Sequence, residues 1–280
     1  MDKKLSRRVE SMFADLNSQS AASSFPAPGT LSELLSKHVD ASSPTKTVIA
    51  SRKILTCFAT AAVEMWLRSV HSFLISASLT KASPIWSSVA GYYSSHYSVR
   101  AFAHLFGAFQ LHRKRRIAYL DETGGHVVLE KKNANDGEHK FYWKFVSEHP
   151  QLASDPFFYS NRDDELDGGH RNKANYSDHI CRYPVFQPLD SQFLKDRIEQ
   201  ISGIEFSAVP VPRADADHFP DIENIQIVAY HRLVKFRQFV DEVCTSNRFW
   251  KVQRSPAWCP ETLTFSVVDS VFVALYARKP

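Results

Sequence analysis

The sequence predicts a mainly α-helical bundle organised around a long antiparallel helix hairpin, with a small β-hairpin inserted near residues 112–131. Three observations predict this fold class. The 280-residue chain is 44% apolar and contains only 9 glycines, which argues against a turn-rich β protein. Apolar residues recur at steps of three and four over residues 44–79 and again over 83–110. Because only a short turn joins these segments, we expect them to pack side by side.

The first 43 residues are predicted to form an N-terminal helical arm and a linker. Residues 1–19 have an amphipathic pattern, and residues 18–30 are rich in serine, alanine and proline. A second short helix is predicted over 31–39, and the rest of the chain, 44–280, is assigned to one helical domain. A tethered amphipathic helix is a common docking device, so the arm is a candidate site for a protein partner such as an antitoxin.

The second helix of the hairpin, residues 83–110, has two different faces. Pro84 is typical of a first helical turn, and no later proline interrupts the segment. One face is apolar, whereas the other carries His96, Arg100 and His104 among tyrosines. This polar stripe packs against a neighbouring element or faces water, or it forms a groove that binds RNA phosphates. In a third interpretation its histidines and arginine satisfy the hydrogen bonds of buried tyrosines. All three interpretations fit the pattern.

The chain becomes strongly basic directly after this helix. The run HRKRR precedes two short β-prone segments, 117–120 and 126–129, which are joined by a Gly-Gly turn and predict a β-hairpin. The β-hairpin would bring three candidate RNA-binding residues to the end of the helix predicted over 83–110: Arg113, Arg115 and Arg116.

The second half of the chain is less regular. An aromatic stretch at 141–146 predicts a short helix, and residues 190–201 and 221–243 predict two more. The intervening region after residue 156 is polar and loop-like. The apolar tail at 263–276 fits a helix and a strand equally well, since nearly all of its residues are hydrophobic.

Composition and motifs exclude several classes of protein. The formal net charge is only +4, so the clustering of basic residues matters more than their number. The four cysteines lack paired ligand spacing, which predicts no metal site, and no P-loop, dinucleotide, metalloprotease or hydrolase motif is present. No run reaches the ~18 apolar residues of a membrane span, and we recognise no secretory signal. We therefore expect a cytoplasmic protein that does not bind membranes and needs no cofactor.

The polar loop at 162–182 has the residue content of a catalytic site. Arg171, Asn172 and His179 lie within nine residues of one another. An arginine can hold a phosphate through its planar guanidinium group, and a histidine can accept or donate a proton near neutral pH. Metal-free RNA cleavage needs these groups. Alternatively, the polar residues of this loop cap helices and close turns.

The helix hairpin, with GYYSSHYSVRAFAHL in its second helix and a downstream Arg171-Asn172 followed by His179, resembles the HEPN superfamily. Members of this superfamily are four-to-five-helix bundles, commonly dimeric, and many are metal-independent ribonucleases of toxin, CRISPR-associated and phage-defence systems. Their typical motif is an arginine, often followed by a polar residue, and a histidine after four to six further residues. In this chain seven residues separate Arg171 from His179.

The resemblance implies a composite site at a homodimer interface, in which Arg171 and His179 are catalytic and Asn172 orients them. It also implies cleavage of single-stranded RNA without a metal, which leaves a 2′,3′-cyclic phosphate and a 5′-hydroxyl. Two functions therefore stand as hypotheses. The first is an endoribonuclease that acts as a toxin or anti-phage defence effector. The second is a non-catalytic helical RNA-binding or scaffolding subunit of a defence complex.

Overall fold

The computed structural model describes residues 2–16, 28–40, 42–111, 115–132, 137–159, 191–204 and 222–254. Over these residues the protein is mainly helical with one small antiparallel sheet, which confirms the predicted fold class. No helix among them is both long enough and apolar enough to span a bilayer. In chain order the described elements are α1 (Lys3–Ala14), α2 (Pro28–Ser36), β1 (Thr45–Ile49), α3 (Arg52–Leu79), α4 (Pro84–Leu105), β2 (Ala108–Leu111), β3 (Arg116–Leu120), β4 (His126–Lys131), α5 (Glu138–Ser147), α6 (Pro156–Tyr159), α7 (Ser191–Ser202), α8 (Ile222–Cys244) and α9 (Arg248–Gln253).

The chain divides into two compact units. Unit 1 consists of Met1–Trp66, Val99–Leu152 and Phe236–Gln253, so it contains the sheet, α1, α2, α5 and α9. Unit 2 consists of Leu67–Ser98, Ala153–Lys235 and Arg254–Pro280, so it contains α6 and α7. The long helices α3, α4 and α8 contribute residues to both units.

The sheet of unit 1 has the strand order β1-β4-β3-β2, with every neighbouring pair antiparallel. The predicted hairpin is confirmed as β3 and β4, whose turn contains Gly124 at a φ of +74°. Residues 45–49 were expected to begin a long helix, and this prediction is wrong. The segment TKTVI is rich in β-branched residues, and it pairs with β4 in the register Val48 to Val127.

Helix α4 ends at Leu105, before the boundary expected at residue 110, and the chain continues as β2. Gly107 causes this change, because it adopts a φ of +87° that other residues rarely tolerate. A Cβ atom at this position would also lie 2.6 Å from the Cβ of Leu120. The backbone therefore turns at Gly107 and pairs with β3, where Phe109 lies opposite Ala118.

Helix α1 packs within unit 1 through its apolar face, which includes Leu5, Val9 and Phe13. Asp2 caps the helix by accepting hydrogen bonds from the amides of Lys4 and Leu5. The buried Arg8 side chain then donates to the carbonyl oxygens of Phe106 (3.0 Å) and Asp121 (3.1 Å). Docking of a protein partner on the N-terminal arm stays a prediction.

In unit 2, α3 and α4 pack closely along a row of serines. Ser69 donates to the Ser94 carbonyl (2.7 Å), and Ser94 donates back to the Ser69 carbonyl (2.8 Å). Ser76 and Ser87 exchange the same pair of bonds, at 2.7 and 2.6 Å. Ser98 adds a hydroxyl contact to Ser69. Serines are small enough for two helices to approach closely, and the reciprocal bonds satisfy the buried hydroxyls. These contacts confirm the predicted hairpin.

Helix α8 packs on the same hairpin through residues of unit 2. The Gln226 amide nitrogen lies within hydrogen-bond distance of the Ser76, Thr80 and Ser87 hydroxyls, at 3.2, 2.8 and 3.2 Å. Its carbonyl oxygen accepts from the buried Arg197 (3.0 Å). The predicted helices at 141–146, 190–201 and 221–243 are confirmed as α5, α7 and α8. The tail at 263–276 lies outside the described residues.

The close packing of α4 predicts that Gly91→Ala destabilises the protein. A Cβ atom at Gly91 would lie 2.9 Å from Cγ2 of Ile225 and 3.1 Å from the Ser76 hydroxyl oxygen. We expect a loss of about 1–3 kcal/mol in the free energy of unfolding, measured by urea denaturation. Gly137→Ala is the matched control, since nothing lies within 4 Å of the position that its methyl group would occupy. Equal stability of both variants would contradict the prediction.

Candidate functional site

Charge is distributed unevenly along the chain. Residues 41–120 contain ten lysines and arginines but a single acidic residue, Glu64, whereas the rest of the chain carries a net negative charge. No aspartate or glutamate occurs between Met65 and Leu120, a range that holds all of α4. A segment with this imbalance attracts polyanions, although the protein as a whole is only weakly basic.

The outer face of α4 carries exposed aromatic side chains. Trp86 is 62% exposed and Tyr93 is 36% exposed, and Tyr97 is half-buried one turn further along. With the half-buried Ala90, these residues follow steps of four, three and four and so lie on one side of the helix. The Tyr93 and Tyr97 rings are 6.0 Å apart, centroid to centroid. We call Trp86, Tyr93 and Tyr97 the aromatic row.

A second layer of rings lies buried behind the aromatic row. Tyr92 and His96 are almost completely buried, and their rings are parallel to within 3° at a centroid distance of 6.2 Å. Tyr92 also contacts Tyr93 edge-on at 5.2 Å, and His96 contacts Tyr97 at 6.2 Å. His96, expected on an RNA-binding stripe, therefore lies beneath the exposed rings and supports them.

His104 and Arg100 lie in unit 1, where both contact Tyr142. The Arg100 guanidinium carbon is 5.1 Å from the centroid of the Tyr142 ring, and His104 meets the same ring edge-on at 5.5 Å. Burial, with a smaller effect of the Arg100 charge, lowers the pKa of His104 to about 3. The imidazole is therefore neutral at physiological pH and donates from Nδ1 to the Ala108 carbonyl (2.9 Å).

The two described arginines of the basic run have different environments. Arg116 is buried, and its guanidinium group donates to the carbonyls of Asp40 (2.6 Å), Ser43 (2.7 Å) and Pro44 (2.7 Å). Arg115 is exposed, at a backbone φ of +48°. Arg113 lies outside the described residues. Arg116 thus holds the segment before β1 in place, whereas Arg115 is accessible to a ligand.

This contrast predicts different effects of two neighbouring substitutions. Arg116→Gln removes charge-assisted hydrogen bonds to three carbonyls, so we expect a loss of about 2–4 kcal/mol in the free energy of unfolding. Arg115→Gln, the matched control, should change it by less than about 0.5 kcal/mol. Urea denaturation of both variants tests this assignment. A stable Arg116→Gln variant would show that its hydrogen bonds contribute little.

The three predicted catalytic residues, Arg171, Asn172 and His179, lie outside the described residues. Their catalytic roles, and their proximity to one another in the folded chain, stay predictions.

Unit 2 contains a charged cluster that the sequence did not reveal. The carboxylate of Asp155 contacts Nε2 of His231 (3.2 Å) and Nζ of Lys235 (3.3 Å), and it also accepts from the Phe157 amide (3.0 Å). The imidazole stacks on the Phe157 ring at 4.2 Å. No motif could have revealed this cluster, because Asp155 and His231 are 76 positions apart in the sequence.

The electrostatics of this cluster favour an ionised carboxylate. Burial on its own raises the pKa of Asp155, but the hydrogen bond and positive charge of His231, the Phe157 amide and the Lys235 charge outweigh it and lower the pKa to about 2. Such an ion pair can orient an imidazole for proton transfer, and it can equally fasten α8 to the start of α6. The Asp155 side chain is only 11% exposed, which favours the structural role.

The lowered pKa gives a pH-dependent prediction for Asp155→Asn. A carboxyl group with a depressed folded-state pKa stabilises the protein above its unfolded value, near 4, and loses this effect as the pH falls towards 2. We expect the variant to be about 2 kcal/mol less stable at pH 6, and the difference should shrink below pH 4. Thermal denaturation at several pH values measures this. The exposed Asp196→Asn is the control, and a difference independent of pH would contradict the assignment.

Within the described ranges, no group of three or more histidine, cysteine, aspartate or glutamate side chains is arranged to hold a metal ion. Cys57 and Cys244 are buried free thiols, and burial raises the pKa of both, that of Cys244 to about 12.

Comparisons with protein-family models, with curated proteins and with solved structures find no match to this chain.

Proposed function

We propose that the protein is a metal-independent endoribonuclease that cleaves single-stranded regions of RNA, as a toxin or anti-phage defence effector. The observation that carries this proposal is the charge distribution around the helix hairpin: one acidic residue against ten basic residues over 41–120. RNA binding depends strongly on contacts between basic side chains and phosphates. The exposed Arg115 belongs to this basic segment.

The catalytic part of the proposal comes from the resemblance to the HEPN superfamily. The α3–α4 hairpin, with its tyrosine-rich α4, supports that resemblance at the level of architecture. In the proposed mechanism Arg171 stabilises the charge that develops on the phosphate and His179 transfers the proton, while Asn172 orients the pair. Two copies of the chain would form the site in a cytoplasmic homodimer.

A second arginine–histidine pair fits the spacing of the HEPN motif better. Four residues separate Arg213 from His218, within the typical four to six, whereas seven separate Arg171 from His179. The Arg213–His218 pair also comes shortly before Ile222, the first residue of α8. A search for this spacing along the whole chain would have found the pair. Both pairs therefore belong in the experiment that tests catalysis.

A non-catalytic RNA-binding or scaffolding subunit of a defence complex is the second candidate. One observation favours it: three polar side chains that were predicted to bind RNA are buried and serve the fold. His96 supports the aromatic row, His104 is neutral and bonded to Ala108, and Arg116 binds backbone carbonyls. Helix α4 therefore offers a binding surface without an exposed imidazole for acid–base chemistry, whereas His71 on α3 is exposed.

Cleavage of labelled single-stranded RNA and transfer RNA in the presence of EDTA tests the proposal. We expect the native protein to cut both substrates and to leave a 2′,3′-cyclic phosphate. Alanine variants of the true pair, either Arg171 and His179 or Arg213 and His218, should lose activity by at least about a hundredfold, as general acid–base groups contribute this much. His170→Ala is a control for substitution of a neighbouring histidine.

The possible outcomes of this cleavage assay lead to different functional assignments. Loss of activity in the Arg213 and His218 variants alone would transfer the catalytic roles to that pair. Cleavage that disappears in EDTA, or that none of the four substitutions affects, would contradict the mechanism. If the native protein binds RNA tightly but never cuts it, the second candidate is correct.

A further inference from the structure

We propose that the aromatic row of α4 is a stacking platform for the unpaired bases of single-stranded RNA. This inference rests on the proposed function for its choice of RNA as the ligand. It goes beyond that function because it assigns a binding surface at which no catalytic residue was predicted. It requires Trp86, Tyr93 and Tyr97 to contact the bases while basic residues contact the phosphates.

The composition of the row favours nucleobases as the ligand. An indole that is 62% exposed leaves a large apolar surface in water, and nothing in the described fold of unit 2 accounts for that exposure. The positions 86, 90, 93 and 97 along this side of α4 hold three aromatic residues and one alanine. Flat rings stack on the faces of all four bases, so such a surface binds single strands with little sequence preference.

The spacing of the row suits successive bases of an extended strand. Trp86 and Tyr93 are separated by two helical turns, which is about 10 Å along the axis. Tyr93 and Tyr97 follow one turn apart, with ring centroids separated by 6.0 Å and planes inclined by 31°. The three rings therefore form a line along α4, and a strand that follows the helix meets each of them in turn.

The lack of acidic residues in the segment that contains the row favours RNA over a second copy of the chain. The same spacing of four and three residues would also suit a helix from a partner protein. Residues 65–120 contain no aspartate or glutamate, so RNA phosphates meet no carboxylate along α4. A second copy of α4 brings no acidic side chain with which the basic residues of this segment could pair.

Two rings of the row, Tyr93 and Tyr97, pack on buried rings, which lowers the entropic cost of binding to them. Tyr92 and His96 pack directly behind Tyr93 and Tyr97. The serine contacts between α3 and α4 fix the helix itself. Side chains that are already ordered lose little freedom when a ligand stacks on them.

Binding can be measured separately from cleavage by blocking the ribose 2′-hydroxyl. The probe is a fluorescein-labelled oligonucleotide of about 12 residues with 2′-O-methyl groups throughout, long enough to cover one single-strand site. Fluorescence anisotropy with the full-length protein, at one salt concentration, gives its Kd. We expect Trp86→Ala and Tyr93→Ala each to weaken binding by about fivefold to a hundredfold, since one stacked base contributes this much.

Three controls make the result specific. Trp86→Phe and Tyr93→Phe keep an aromatic face and should restore most of the affinity. Ile75→Ala removes a side chain that is 38% exposed on α3 and should leave the Kd unchanged. Circular dichroism on each variant checks that the fold is intact, which is expected because Trp86 and Tyr93 are exposed.

The outcomes separate this inference from the proposed ribonuclease activity. If the alanine variants bind the probe as tightly as the native protein, or if the native protein does not bind it, the platform is wrong even where unmodified RNA is cleaved. If the variants change the sedimentation coefficient instead of the RNA affinity, the row is an interface between copies. If affinity falls as expected but no RNA is ever cut, the platform stands and the nuclease proposal fails.

Discussion

The close approach of α3 and α4 within unit 2 is the constraint on which the described site depends. Apolar side chains of normal size would hold the two helices further apart, whereas serines permit contact and bond directly to the opposite backbone. The amide of Gln226 adds α8 to this arrangement. The buried contact between α3 and α4 is polar, but its serine hydroxyls are hydrogen-bonded. It therefore stabilises the unit without leaving these hydroxyls buried and unpaired.

This packing divides the polar residues of α4 into two populations. The small hydroxyls and both imidazoles, His96 and His104, are buried and serve the fold, while the large rings of the aromatic row are more exposed. A stripe that looks uniform in the sequence therefore has two layers, with His96 beneath Tyr97 and Tyr92 beneath Tyr93. The inner layer determines the orientation of the outer one. Residues that do not touch a ligand can thus determine how the ligand binds.

Local patterns predicted the elements whose structure depends on local interactions. The α3–α4 hairpin, the β3–β4 hairpin and α8 were all recognisable from periodicity and turn residues. Strand β1 was not, because its conformation depends on pairing with β4, about 80 residues further along the chain, and periodicity cannot report such a distant partner. The end of α4 could have been placed correctly, since Gly107 is a typical residue for terminating a helix.

The candidate site was harder to predict because burial decides the role of each polar residue. Arg115 and Arg116 are neighbours in one basic run, but only the second donates to buried carbonyls. Likewise, the sequence cannot show that Asp155 meets His231 and Lys235, because only the tertiary fold brings α6 and α8 together.

The reciprocal serine contacts also fix the hairpin against sliding. Ser69 lies opposite Ser94, and Ser76 lies opposite Ser87, so both contacts move seven residues along each helix in opposite directions. A shift of α4 by one turn would break all four of these bonds together. Helices joined only through leucines can slip past one another at modest cost. In this hairpin the four bonds define the register of α3 against α4, so Trp86, Tyr93 and Tyr97 are held at defined positions along the hairpin.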